Sequence, residues 1–112
     1  MSTLVVDTLT NQEPQLCKAW VNFNGTGTVA IRASYNVSSI TDNRTGDYTM
    51  NFTNSFEDTN YCVVNGSGDT GASDRAGLLS PTSMTTSSFR GTAVSYNGGL
   101  LDRDTMMWAI FR

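Results

Sequence analysis

A chain of 112 residues with a formal charge of −3 is sized for one domain, which buries roughly two-thirds of the surface its unfolded form exposes. Sixteen Thr, 12 Ser and 10 Asn, against 15% charged residues and a single lysine, Lys18, favour strands and turns over helices. The six arginines are spread along the chain rather than clustered, which argues against a phosphate-binding surface and so against nucleic acid as a partner.

In chain order, Ser2 to Leu9 (STLVVDTL) reads as a short strand and Thr10 to Pro14 as a polar connector. Residues 1–15 thus form an N-terminal strand and connector, a candidate anchor or oligomer contact, ahead of a β-sandwich-like domain over 16–112. From Leu16 to Phe23 a longer strand places Cys17, Ala19, Val21 and Phe23 on one face and Lys18, Trp20 and Asn22 on the other. Asn24 to Gly27 supplies a glycine hairpin, after which Thr28 to Tyr35 alternates with Val29, Ile31, Ala33 and Tyr35 on one side.

Ser38 to Thr41 is a short strand, Asp42 to Gly46 a second turn, and Asp47 to Phe52 a strand with Tyr48, Met50 and Phe52 facing inward. Tyr61 to Val64 follows, and then Asn65 to Gly77 (NGSGDTGASDRAG) reads as the main loop, with no core residue in it. Leu78 to Leu79 and Ser83 to Ser87 are weak strand signals, whereas Phe89 to Tyr96 is clear. Asn97 to Gly99 marks a hairpin, and Thr105 to Phe111 closes the chain as a strand apolar on both faces. One of those faces, Met106, Trp108 and Ile110, or the other, Met107, Ala109 and Phe111, must meet a second sheet; the remaining one meets core or another subunit. With no helical or heptad period, the expected fold is all-β, an antiparallel sandwich or jelly-roll-like single domain of seven to nine short strands, on the order of strand counts in such folds.

The absence of histidine removes the usual general base and zinc ligand and the Ser-His-Asp triad, so no enzyme is expected. Glu13 and Glu57, the only glutamates, read as solvated loop carboxylates rather than a glycosidase pair. Gly66, Gly68 and Gly71 match the GxGxxG spacing, but no helix or downstream acid follows, so no cofactor is expected. Asp69 with Asp74, and Asp102 with Asp104, read as turn aspartates, with a calcium site as the alternative. Cys17 and Cys62 are each expected as a buried thiol within a strand, the alternative being a disulfide between them. Five Asn-X-Ser/Thr sequons, at Asn24, Asn36, Asn43, Asn51 and Asn65, read as chance matches in so Asn- and Thr-rich a chain. No segment has the form of a secretion signal and no apolar run reaches the roughly 18–20 residues that span a bilayer, so synthesis in a cytoplasm without membrane insertion is expected. The residues singled out for receptor binding or an interface are Asp69, Asp74, Arg75, Tyr96, Asn97, Trp20 and Trp108.

The run Lys18 to Phe52, KAWVNFNGTGTVAIRASYNVSSITDNRTGDYTMNF, closely resembles a segment of the tail-fibre and adhesin-like proteins of bacteriophages, especially those of aquatic bacteria and cyanophage type. MSTLVVDTL, TTSSFR (Thr85 to Arg90) and WAIFR (Trp108 to Arg112) resemble further parts of the same family, while residues 64–84 and 91–104 largely depart from it. The resemblance implies an all-β homotrimer displayed on a virion surface beside other virion proteins, assembled in the host cytoplasm. Its expected function is structural and adhesive: loops at Asn65 to Gly77 and Asn97 to Asp104 would recognise a host-surface glycan or protein through multivalent contact. A capsid decoration or knob protein on the phage head is the alternative, and a host-side carbohydrate-binding domain a third.

Overall fold

A computed structural model describes residues 16–69, 78–95 and 97–112. The predicted strand Ser2 to Leu9 and its connector, and Asp74, Arg75 and Tyr96, lie outside the described residues. Within them the chain forms eight strands: β1 (Cys17–Asn24), β2 (Ala30–Tyr35), β3 (Val37–Arg44), β4 (Asp47–Phe52), β5 (Cys62–Gly68), β6 (Leu78–Met84), β7 (Ser88–Val94) and β8 (Thr105–Phe111). They make two four-stranded antiparallel sheets, β2-β1-β8-β5 and β3-β4-β7-β6, packed face to face as the expected sandwich.

The alternation in the sequence builds the core directly. Ala19, Val21 and Phe23 of β1 and Met106, Trp108 and Ile110 of β8 point inward from the first sheet, and Tyr48, Met50, Phe52 and Phe89 meet them from the second. Trp108 is the centrepiece, with Phe23 and Phe89 standing edge-on to it at centroid distances of 5.5 and 5.2 Å. Its indole N–H donates to Asn65 Oδ1 at 3.1 Å, so burial leaves no polar atom unpaired. Trp108, 1% exposed, therefore belongs to the core and not to an interface, because β8 is a central strand with the second sheet over that face.

Three expectations change. The stretch after Val64 continues as β5 through Gly68, hydrogen-bonded in register to Met106 and Thr105, so its first residues are strand and not loop. The two weak signals around Leu78 and Ser83 merge into one strand, β6, which tolerates Pro81 because it is an edge strand with a register shift at that point. Ala33 and Tyr35 face outward, because a bulge between Asn22 and Phe23 inserts Arg32 and reverses the alternation of β2 after Ile31.

The cysteines also depart from expectation. Cys17 is half-buried and Cys62 exposed, and both are free. Each is the register partner of Phe111, from opposite sides of β8, which sets them two strand spacings or roughly 10 Å apart, beyond the ~7 Å a disulfide spans.

Candidate functional site

Each end of the sandwich holds a cluster of polar residues, and the two clusters differ. One end holds the turns after β1 and β3, the end of β5 and the approach to β8. Here Tyr48 Oη lies 2.7 Å from Gly25 O and 2.6 Å from Asp102 Oδ1, its one proton shared between the two acceptors. The other donor to Asp102 Oδ1 is the Gly46 amide at 2.7 Å, and the Gly25 amide donates to Arg103 O at 2.8 Å. Arg103 is buried and pairs with Asp69 at 3.4 Å, while Asp69 Oδ1 also accepts the Asp104 amide at 3.1 Å. Burial, reinforced by the Asp102 carboxylate, drives the Tyr48 phenol far above its ordinary pKa, so it stays protonated.

This network reassigns several sequence candidates. Asp69 and the Oδ1 atom of Asp102 hold Arg103, Tyr48 and backbone amides, and residues 102–104 form a plug between the sheets instead of a free recognition loop. Asn97 is exposed, but its carboxamide accepts from the Ser95 hydroxyl and, at 3.3 Å, from the Gly99 amide, which fixes the turn it sits in. That turn also does not close a β7–β8 hairpin: after a single bridge, Val94 to Leu100, the chain crosses to the other sheet. No group of three or more Cys, Asp or Glu side chains among the described residues is placed to hold a metal ion.

The opposite end is open. A cleft of about 530 Å³ lies between the start of β1, the β2–β3 corner, the loop after β4 and the C-terminal arginine. Phe56, packed with Phe52 and Tyr61 at centroid distances of 4.8 and 5.0 Å, anchors its inner wall. Asn36 builds the rim: at φ 57°, a conformation Asn accepts more readily than most residues, it turns the chain from one sheet to the other. Its amide donates to Lys18 O and Asn54 O, both at 3.1 Å, and its carbonyl accepts from the Asn54 amide at 2.7 Å. Beside this corner the Tyr35 ring stands 58% exposed.

Charges of both signs border the cleft. Arg112 grips Asp58 through two hydrogen bonds, 3.0 and 2.7 Å, and reaches Glu57 at 3.3 Å; that guanidinium holds the Asp58 carboxyl at about 2. Lys18 makes no ion pair, and the side chains of Lys18, Asn54 and Ser55 make no hydrogen bond, among the described residues. An exposed ring and unengaged amide, hydroxyl and ammonium groups thus surround a cleft whose volume lies within the ~300–1,000 Å³ of ligand sites. Sequence reasoning missed this end because its parts come from four separated segments; of its aromatic neighbours only Trp20, in register with Tyr35 on the outer sheet face, was singled out.

No family model, curated protein or solved structure matches the chain.

Proposed function

We propose that the protein is a bacteriophage virion-surface protein of tail-fibre or adhesin type, a non-enzymatic module that presents a binding site to a host-surface glycan or protein. The observation that carries this reading is the open-end cleft, in which Tyr35, Lys18, Asn54 and Ser55 are available to a ligand on a rigid β frame. Recognition is assigned to that end rather than to residues 97–104, where Arg103, Asp102 Oδ1 and the Asn97 side-chain carbonyl are already engaged within the fold. Contacts of this size are individually weak, and several copies on one particle raise the avidity.

The test joins location to binding. Immunogold labelling of purified particles is expected at the tail, and the purified protein is expected to compete with particles for adsorption to host cells. Tyr35→Ala together with Lys18→Glu is expected to abolish the competition while the circular-dichroism spectrum stays unchanged. Label confined to the head would move the protein to the capsid-decoration alternative, and its absence from purified particles would overturn both.

A further inference from the structure

The open-end cleft continues onto the outer face of the β2-β1-β8-β5 sheet. Along β1, where Ala19, Val21 and Phe23 point into the core, Lys18 and Trp20 are successive outward positions, and both are exposed. Tyr35, in the cleft lining, is the register partner of Trp20, and from these two the outward row runs on through Ala109 and Val64. The Tyr35 ring, 58% exposed, is thus followed one strand spacing away, roughly 5 Å, by the Trp20 ring at 38%.

Neither ring packs against another aromatic among the described residues, and neither the Trp20 indole N–H nor the Tyr35 hydroxyl has a hydrogen-bond partner among them. An amphipathic ring with its polar handle free suits a ligand that has apolar faces and polar edges. A pyranose has both, C–H groups on its faces and hydroxyls at its rim. The strand spacing is close to the length of one sugar unit, so successive sugars of a chain can meet successive rings. The Asn54 amide and Ser55 hydroxyl in the cleft are then in place for the hydroxyls of the first sugar.

Charge narrows the sugar. The protein carries −3 overall, yet β1, β2 and β8 contain no Asp or Glu. The carboxylates at the cleft, Glu57 in its lining and Asp58 beside it, both pair with Arg112. Arg32, the other cation of these strands, is turned toward Asn22 Oδ1 at 3.3 Å and Asp104 O at the plugged end. Lys18 alone offers the cleft an ammonium that no described carboxylate pairs with, and it stands on the same face of β1 as Trp20. Its position is fixed from below, where Lys18 O accepts from the Asn36 amide at 3.1 Å.

We infer that the cleft and the Tyr35–Trp20 pair together bind a linear acidic oligosaccharide. One sugar sits in the cleft against Tyr35 with its anionic group on Lys18, and the chain leads outward over Trp20. The inference rests on the assignment of recognition to this cleft under the proposed function, and adds the ligand's charge and direction.

Calorimetric titration of the full chain with tetragalacturonate, a sulfated carrageenan tetrasaccharide and neutral maltotetraose tests it, the first two separating carboxylate from sulfate as the group Lys18 takes. At least one acidic chain is expected to bind with Kd below about 1 mM, about fivefold tighter than maltotetraose, and to lose that preference as salt is raised. Lys18→Gln is expected to equalise acidic and neutral chains, and Lys18→Arg to keep the preference. Trp20→Ala is expected to weaken the acidic chain about fivefold while the preference for acid survives. If Trp20→Ala fails to fold, acrylamide quenching of the wild type supplies the readout, because Trp108 is only 1% exposed: the acidic chain is expected to protect Trp20. No binding of either acidic chain at about 10 mM, equal affinity for maltotetraose, or quenching unchanged by the chain would each overturn the inference. Any of these with competition for adsorption intact leaves the proposed function standing. Acid-selective binding by a protein absent from purified particles would support the inference and remove the virion-surface reading.

Discussion

The two ends of the sandwich are built from the same residue types, Asp, Asn, Arg, Tyr and Gly, and put them to different uses. At the plugged end polar groups engage one another inside the fold: Tyr48 and the Gly46 amide on Asp102, the Gly25 amide on Arg103 O, Arg103 on Asp69. At the open end the fold spends Asn36, Arg112 and Asp58 on holding the corner and leaves Lys18, Asn54, Ser55 and the Tyr35 ring to solvent. Polar composition alone does not mark a binding surface. What marks it is polarity that the protein's own backbone and side chains have not already satisfied.

The sharpest way to break this contrast is Arg103→Ala. It removes a buried guanidinium and strands its partners, so a loss of about 3 kcal/mol is expected, read as a fall in Tm of more than about 10 °C. A fall under about 3 °C would show that the plug does not close that end.

A smaller and more local effect separates two glycines of the same end. Gly46 sits at φ +67°, and a Cβ there would stand 2.8 Å from Leu101 N and 2.9 Å from Leu101 O, backbone that is fixed by the plug. Gly27, at φ +58°, has nothing within 4 Å. Gly46→Ala is expected to destabilise by about 2–3 kcal/mol and Gly27→Ala by only about 1, the strain of a left-handed alanine, as read from urea midpoints.

Acid tests a charge outside either end. Asp47, covered on the outer face of its sheet, accepts from Arg90 at 2.9 and 2.8 Å and from Arg44 at 3.0 Å, and the Arg90 bonds above all hold its carboxyl at about 2, below the ordinary 3.8. Because the folded value is the lower one, the pairing stabilises above about pH 4 and that contribution is lost as pH falls through about 2. Asp47→Asn is expected to be less stable at pH 7 by on the order of 1 kcal/mol, since water around the two arginines screens the pair, and to lose less on acidification. Asp58 titrates in the same window in both proteins, so the difference between their Tm-versus-pH curves isolates Asp47.

The smallest stability effect belongs to the open end. Tyr35→Ala and Lys18→Ala are each expected to change stability by less than about 0.5 kcal/mol, although the proposed function expects Tyr35→Ala combined with Lys18→Glu to remove competition for adsorption. A Tm loss comparable to that of Arg103→Ala would make this end structural as well and erase the distinction.

Much of the framework was legible in the sequence because its causes are local. β4 and β8 have the limits that alternation predicts, β1 lies within a residue of them, and the glycine turns at Gly27 and Gly46 adopt the positive φ that only such residues take without strain. Where local pattern misled, a non-local partner overruled it. The polar run Asn65 to Gly68 is a strand because β8 offers it a hydrogen-bonding edge, and Tyr35 faces water because one bulge against β1 flips the end of β2. Trp108, Arg103 and Asp102 are engaged for the same reason: an indole and charged side chains look available in a sequence until another sheet, a carboxylate or a buried tyrosine meets them.

What the sequence by itself determined is therefore the class of fold, the limits of β1, β4 and β8, and the lack of a histidine-based catalytic set, all of which follow from composition and period-two patterning. Only the tertiary structure decided which polar residues remain unspent, which end is open, and that the apolar outward residues of four strands from distant parts of the chain join into one face. Those properties depend on strand order and register, which are set by the packing of whole sheets and leave no mark on neighbouring residues.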